Sequence, residues 1–213
     1  MHDRNTKIAL AGIAAAVALA GCAGSTSPAP GGAQASAKAL ETMKASFSER
    51  GIAKLDRLNQ DETQVLCTQY ATGTVPKDVA EKIEKANTAS IKPPSDGKYL
   101  GDWKRGEQVA QRGTGFQYSD TADTPVGGNC YACHQLTKEE ISYGTIGPPL
   151  YSFAKIRGYG PEMQKYAWGK VWNAQAYSAC SFMPRFGHAG ILTEQQVKDV
   201  VALLMDPDSP VNK

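Results

Sequence analysis

The chain has 213 residues and a formal net charge of +2. This length accommodates one domain of ordinary size together with an appendage. Because 23 basic residues are nearly balanced by 21 acidic ones, nothing in the composition indicates a nucleic-acid-binding surface.

The first 21 residues have the pattern of a bacterial lipoprotein signal peptide. Arg4 and Lys7 precede an apolar run over residues 8–20, which suits a signal-peptide core and is too short for a transmembrane span. The run ends at Leu19-Ala20-Gly21-Cys22, which resembles a lipobox, where cleavage occurs before an acylated cysteine. We therefore expect a periplasmic protein with a lipid anchor on Cys22. The resemblance to bacterial lipoproteins implies the outer membrane, because Asp does not follow this cysteine. The alternative is an ordinary signal peptide that leaves Cys22 as a free thiol, a liability in an oxidising compartment.

Two further segments precede the main domain. Residues 22–35 are rich in Ala, Gly, Ser and Pro, which predicts a flexible tether. Residues 36–96 predict a helical extension, with a second helix around Cys67 and a third whose first turn contains Pro76. The extension has few large apolar side chains, so we expect it to pack against the domain that follows.

Residues 97–213 predict a helical domain with a long irregular middle. Asp102 is placed to cap a first helix that runs to about Arg112. Another helix is expected to open at about Cys130. The run Thr193-Glu194-Gln195-Gln196 predicts a capping box for a final helix. We expect the first and last helices to cross, with Gly106 allowing their close approach.

The run Cys130-Tyr131-Ala132-Cys133-His134 has the C-x-x-C-H pattern of a c-type haem attachment site. Its two thiols can each bond a vinyl group of one porphyrin, and the histidine then becomes an axial ligand of the iron. We therefore expect one covalently attached haem c, with its iron bound by His134. The alternatives are a redox dithiol and half of a zinc site; the first lacks its usual βαβ pattern, and the second needs two more ligands.

The sixth iron ligand decides between electron transfer and chemistry at an open iron. Met183 is the best candidate, because it follows the haem motif by about fifty residues and Pro184 restricts the backbone next to it. His188 is the nearby alternative, and Met163 is a weaker one. Met205 is expected in the core of the last helix. Because a thioether favours ferrous iron, a His134/Met183 pair predicts an electron acceptor with no catalytic residue of its own.

Two further details concern the surroundings of the iron. We expect the carbonyl of Pro148, or of a neighbouring residue, to accept the ring proton of His134 and so orient the imidazole. Cys67 and Cys180 are the two cysteines that remain once lipid and haem are assigned, and they predict a disulfide. The alternatives are two buried thiols or a bond to another protein.

These features predict an all-α fold, a class I-like cytochrome c domain with an N-terminal helical extension. Several stretches of the domain also resemble SoxX, the monohaem subunit of the SoxAX cytochrome of bacterial sulfur oxidation. The resemblance covers about the last 120 residues, and it rests on residues 101–103, 127–136, 144–150, 183–187 and 206–212.

The resemblance implies a place in thiosulfate oxidation. A SoxX-like chain pairs with a SoxA-like cytochrome, whose haem site couples thiosulfate to a cysteine of the carrier SoxYZ. The SoxX-like chain accepts the electrons and passes them to a downstream cytochrome, so it is a non-catalytic subunit of an L-cysteine S-thiosulfotransferase. The alternatives are a stand-alone electron shuttle unrelated to sulfur, and a haem sensor or peroxidase.

Overall fold

Residues 31–213 are described by the computed structural model, with side chains described from residue 37. The predicted signal peptide, Cys22 and the first part of the predicted tether lie outside these residues. Numbered in chain order, the helices are α1 (Gly31–Ser46), α2 (Glu62–Gln69), α3 (Lys77–Ala89), α4 (Trp103–Gln111), α5 (Phe153–Arg157), α6 (Pro161–Trp172) and α7 (Glu194–Met205). Short 3-10 turns occupy Leu55–Leu58, Cys130–Ala132, Ala174–Ala176 and Pro210–Asn212. Apart from an isolated bridge between Arg50 and Ala53, residues 31–213 contain no β-structure.

The N-terminal part differs in one respect from the sequence prediction. Helix α1 begins at Gly31, inside the segment predicted as a tether, and its Ala-rich sequence favours helix. Residues 44–213 form one compact unit that contains α2 to α7. Within residues 31–213, each helix is too short or too polar to cross a bilayer.

The centre of the domain is the crossing of α4 and α7. Asp102 caps α4 by accepting hydrogen bonds from the backbone of Lys104 and Arg105, and Thr193 forms the predicted capping box with Gln196 on α7. The helices meet at Gly106, where a Cβ atom would lie 2.0 Å from the Asp199 carbonyl oxygen. Only glycine therefore allows this approach, and the predicted crossing is confirmed.

A buried carboxylate reinforces the crossing. Asp199 on α7 accepts hydrogen bonds from the backbone of Asp102 at 2.8 Å and from Arg105 Nε at 2.9 Å. Gln195 Nε2 donates to the same carboxylate at 2.8 Å. Since a buried charge is costly unless it is paired, these three donors allow Asp199 to be buried between the helices.

The helical extension packs on the second half of the domain. Helix α3 lies against the 3-10 turn Ala174–Ala176, and its Ile83 side chain is only 1% exposed. Asp61 caps α2 through a capping box with Gln64. The extension is thereby fixed next to the segment that precedes Met183.

The prediction of a helix opening at Cys130 is wrong, because the motif forms only the single 3-10 turn Cys130–Ala132. The Tyr131 carbonyl accepts a hydrogen bond from Gly144, and the Cys133 carbonyl accepts one from Gly147. These carbonyls are therefore used by a later loop instead of by a continuing helix.

Candidate haem site

The C-x-x-C-H motif is held in place by backbone hydrogen bonds on both sides. Gly128 donates to the Val109 carbonyl at 2.8 Å, which ties the motif to α4. On the other side, Gly147 donates to Cys133 at 2.9 Å and Leu150 donates to Gln135 at 2.7 Å. The motif thus lies between α4 and the loop of residues 144–150.

The same loop orients the His134 imidazole. His134 Nδ1 lies 2.6 Å from the Pro148 carbonyl oxygen, as the sequence predicts. Because a carbonyl can only accept, Nδ1 carries the proton and Nε2 keeps its lone pair for a metal. Gly147 packs directly on the ring, since a Cβ atom at this position would lie 2.2 Å from His134 Cε1. The imidazole is therefore both oriented and tightly enclosed on one side.

The two motif cysteines carry free thiols. Neither Cys130 nor Cys133 is in a disulfide. Burial raises the pKa of the Cys130 thiol to about 12. A redox-active dithiol needs a lowered pKa, so this environment does not support the dithiol alternative. The zinc alternative requires further ligands, and the described residues contain no group of three or more His, Cys, Asp or Glu side chains that could hold a metal ion.

The segment that carries Met183 lies near the motif. Met183 is half-buried against the hydrophobic core, and its backbone N–H donates to Ser181 Oγ at 3.2 Å. A Cβ atom on Gly128 would meet Cys130 Sγ at 3.3 Å and Phe186 Cε1 at 3.7 Å. Phe186, three residues after Met183, is thus close to the motif, and it brings the two chain segments together.

The rival sixth ligands lie in three different environments. Met205 is buried in α7, as expected for a core residue. Met163 is half-buried on α6 and packs against the core, and His188 is exposed. Met183 remains the proposed ligand because of its position after the haem motif and the proline that follows it.

The structure contains the predicted bond between Cys67 and Cys180. It links α2 to the segment three residues before Met183. This bond and the two unbonded motif thiols account for all four cysteines in residues 31–213.

Haem c fits this set of residues. Two free thiols and an oriented imidazole lie in one pentapeptide. Ile146, in the loop of residues 144–150, is 77% exposed, and Phe182, next to Met183, is 93% exposed, so apolar surface is available to a porphyrin. In addition, Trp172 Nε1 is buried and has no hydrogen-bond partner among the described residues. A buried donor of this kind calls for an acceptor, and a porphyrin propionate is one.

Two open recesses lie beside the motif, with volumes of about 480 and 290 Å3. Both have Tyr131 in their walls, but neither is lined by His134 or Met183. We therefore assign neither recess to the prosthetic group.

Three contributors to the site are not apparent in the sequence. Asn173 donates a hydrogen bond to Asn87, and Gln175 donates one to the Ser181 carbonyl, two residues before Met183. Trp172 carries the unpaired donor. The cluster of aromatic residues around Trp172 is visible in the sequence, but no local pattern distinguishes a partnered indole from an unpartnered one.

The chain is similar to several known proteins. The cytochrome c family profile matches residues 104–206. An uncharacterized lipoprotein of Aquifex aeolicus (strain VF5) is 38% identical over 159 residues, which cover 72% of this chain and 73% of that protein. A crystal structure of SoxXA from P. pantotrophus is 27% identical and covers 55% of this chain and 88% of the solved chain, but its TM-score of 0.37 is too low to show a common fold.

The all-α, class I-like cytochrome c fold is confirmed, and haem c and electron transfer follow from it. Residues 104–206 are therefore a cytochrome c domain, and the chain belongs to the same family as the A. aeolicus lipoprotein.

Proposed function

We propose that this chain is a monohaem electron-transfer cytochrome that acts as the SoxX-like subunit of a sulfur-oxidising complex. Bound haem c supplies a one-electron couple. In this proposal Cys130 and Cys133 would attach the haem covalently, and His134 Nε2 and the Met183 sulfur would bind its iron. The observation that carries the proposal is the hydrogen bond from His134 Nδ1 to Pro148, which leaves Nε2 available to the iron.

The proposed His134 and Met183 ligands explain why this chain would accept electrons. A neutral thioether raises the reduction potential relative to a second imidazole, and an apolar surrounding raises it further. With two protein ligands the iron has no position for a substrate. The proposed role of the site residues is to hold the haem; they are Cys130, Cys133, His134 and Met183. We assign no catalytic residue to the chain.

The SoxX-like role rests on the sequence strings around Cys130, Gly147 and Met183. By that resemblance, the partner is a SoxA-like cytochrome in a heterodimer. The carrier of the sulfur substrate is SoxYZ-like, and a further cytochrome removes the electrons. The complex would be a thiosulfotransferase, to which this chain contributes electron transfer only.

We further propose that Cys22 carries lipid and anchors the protein in the periplasm, at the outer membrane. The lipobox-like sequence Leu19-Ala20-Gly21-Cys22 supports this, and so does the name of the A. aeolicus relative, which is called a lipoprotein. Mass measurement of the mature N-terminus tests it, because acylation adds the mass of the fatty chains and an ordinary cleavage does not.

The ligand assignment is tested with Met183→Ala in the mature holoprotein. We expect loss of the long-wavelength thioether-to-ferric absorption band and new binding of carbon monoxide to the reduced protein. His188→Ala is the matched control, and it should leave the band unchanged. A band that survives Met183→Ala would show that another residue is the ligand.

The partner is tested by purification from the native organism. A stable heterodimer with a second cytochrome supports the SoxX-like role. A monomer that many unrelated donors reduce at equal rates would instead identify a stand-alone electron shuttle.

A further inference from the structure

We propose that the helical extension α2–α3 is a positioning device for the sixth iron ligand, and that the Cys67–Cys180 bond is its main anchor. The inference rests on the proposed function in taking Met183 as that ligand. It assigns to the extension a role beyond covering the core.

The disulfide is attached very close to Met183. Cys180 has a left-handed backbone with a φ of 58°, which is uncommon for a residue other than glycine. Its backbone N–H donates to Gln175 Oε1 at 2.6 Å, and Gln175 Nε2 donates to the Ser181 carbonyl at 3.1 Å. Gln175 is buried, so the chain is fixed on both sides of the disulfide before it reaches Met183.

Helix α3 holds the same segment at further points. Glu84 Oε1 accepts a hydrogen bond from the Ala179 backbone at 3.1 Å. Asn173 Nδ2 donates to Asn87 Oδ1 at 2.9 Å, and both of these residues are buried. These contacts lie on residues that precede Met183, and each comes from the extension.

The extension also holds the chain after Met183. Arg185 Nη2 pairs with Asp61 Oδ2 at 2.5 Å, and the Arg185 side chain is only 12% exposed. Asp61 is itself fixed, because its other oxygen caps α2. Met183 is thus flanked by an anchor on Cys180 and an anchor on Arg185, both of which lead to α2.

Between these anchors the chain is only partly packed against the core. Phe182 is 93% exposed, and Met183 is only half-buried. The position of the Met183 sulfur therefore depends on the two flanking anchors. Removing the disulfide should loosen the segment and open the sixth iron position without affecting His134.

The test is the double variant Cys67→Ala/Cys180→Ala in the mature holoprotein. We expect about a tenfold rise in the fraction of reduced protein that binds carbon monoxide, with a matching loss of the thioether band. Amide hydrogen exchange of residues 178–187 should become at least about tenfold faster, while exchange in α7 stays unchanged. Val211→Ala is the control, because it removes a buried side chain at the C-terminal turn and should leave the band intact.

A second pair of variants isolates one hydrogen bond. Glu84→Ala removes the acceptor for Ala179 and should weaken the band, whereas Glu84→Gln keeps an acceptor oxygen and should restore it. The positioning role is overturned if wild type shows the band and the double-cysteine variant keeps both the band and slow exchange of residues 178–187. If wild type itself lacks the band, the Met183 assignment is wrong and the inference is overturned with it.

Discussion

The two proposed iron ligands are held in different ways. His134 depends on nearby residues, since its ring bonds to a carbonyl 14 residues later in the chain. Met183 depends on distant ones, because the disulfide beside it spans 113 residues and the Arg185–Asp61 pair spans 124. The comparison indicates that the imidazole side is encoded locally and the thioether side by tertiary structure. Perturbation of the extension should therefore affect Met183 first.

The largest effect is expected from Gly147→Ala. The new Cβ atom would lie 2.2 Å from Cε1 of the His134 ring, which the Pro148 carbonyl holds in place. We expect the free energy of unfolding to fall by about 3 kcal/mol and the yield of covalent holoprotein to drop sharply. Denaturant unfolding and haem staining of the purified chain measure the two effects.

Gly160→Ala is the matched control for Gly147→Ala, because a Cβ atom at Gly160 meets nothing within 4 Å. Its holoprotein yield should equal that of wild type. Equal yields from both variants would show that the close contact with the His134 ring is unimportant.

A somewhat smaller effect is expected from Gly187→Ala on the Met183 side. The added Cβ atom would lie 2.4 Å from the Trp172 ring, which stacks on Trp168. The loop that carries Met183 must then shift, at a cost of about 2 kcal/mol. We expect a weakened thioether band with covalent haem retained. Loss of haem attachment together with an intact band would show that this loop supports the His134 side instead of the Met183 side.

Two buried asparagines allow the two sides to be compared in variants that lose similar amounts of unfolding free energy. Asn173 bonds to Asn87 of the extension, whereas Asn212 accepts from the Ala154 backbone and donates to the Leu204 carbonyl. Replacing either one with Ala leaves buried partners unsatisfied, and each variant should lose about 2 kcal/mol of unfolding free energy. Only Asn173→Ala should weaken the thioether band. Equal spectra for the two variants, at equal stability, would argue against control by the extension.

The smallest effect concerns pH and the crossing of α4 and α7. Burial alone raises the pKa of Asp199, but Arg105 and the Asp102 and Gln195 donors outweigh it, so that the pKa lies below its usual value of 3.8. The charged form therefore stabilises the fold above the unfolded pKa, and this contribution is lost as the pH falls through the lower folded value.

Asp199→Asn should accordingly cost about 1 kcal/mol at pH 7. The difference from wild type should shrink as the pH falls below about 4, and denaturant unfolding at several pH values measures it. The thioether band should not change in this variant. A difference that grows towards acid would mean that the pKa of Asp199 is raised in the folded protein.

Much of the fold was predictable, because its signals are local. The caps at Asp102 and Thr193, the crossing glycine Gly106 and the motif at Cys130 each occupy a few consecutive residues. The orientation of His134 was also predictable, since Pro148 lies within the same short stretch.

The remainder depends on contacts between distant residues. The helix expected at Cys130 is absent because Gly144 and Gly147 occupy the carbonyls that it would need. The pairs Asn87–Asn173 and Asp61–Arg185 join residues far apart in the sequence, and such pairs leave no periodic pattern. The extension was expected to pack on the domain, but its attachment on both sides of Met183 appears only in three dimensions.

The most direct test of the central claim is the addition of carbon monoxide to the reduced, wild-type holoprotein. If His134 and Met183 both bind the iron, its spectrum should not change. A stoichiometric shift of the spectrum in the native protein would show an open iron position, and it would contradict the assignment of an electron-transfer cytochrome.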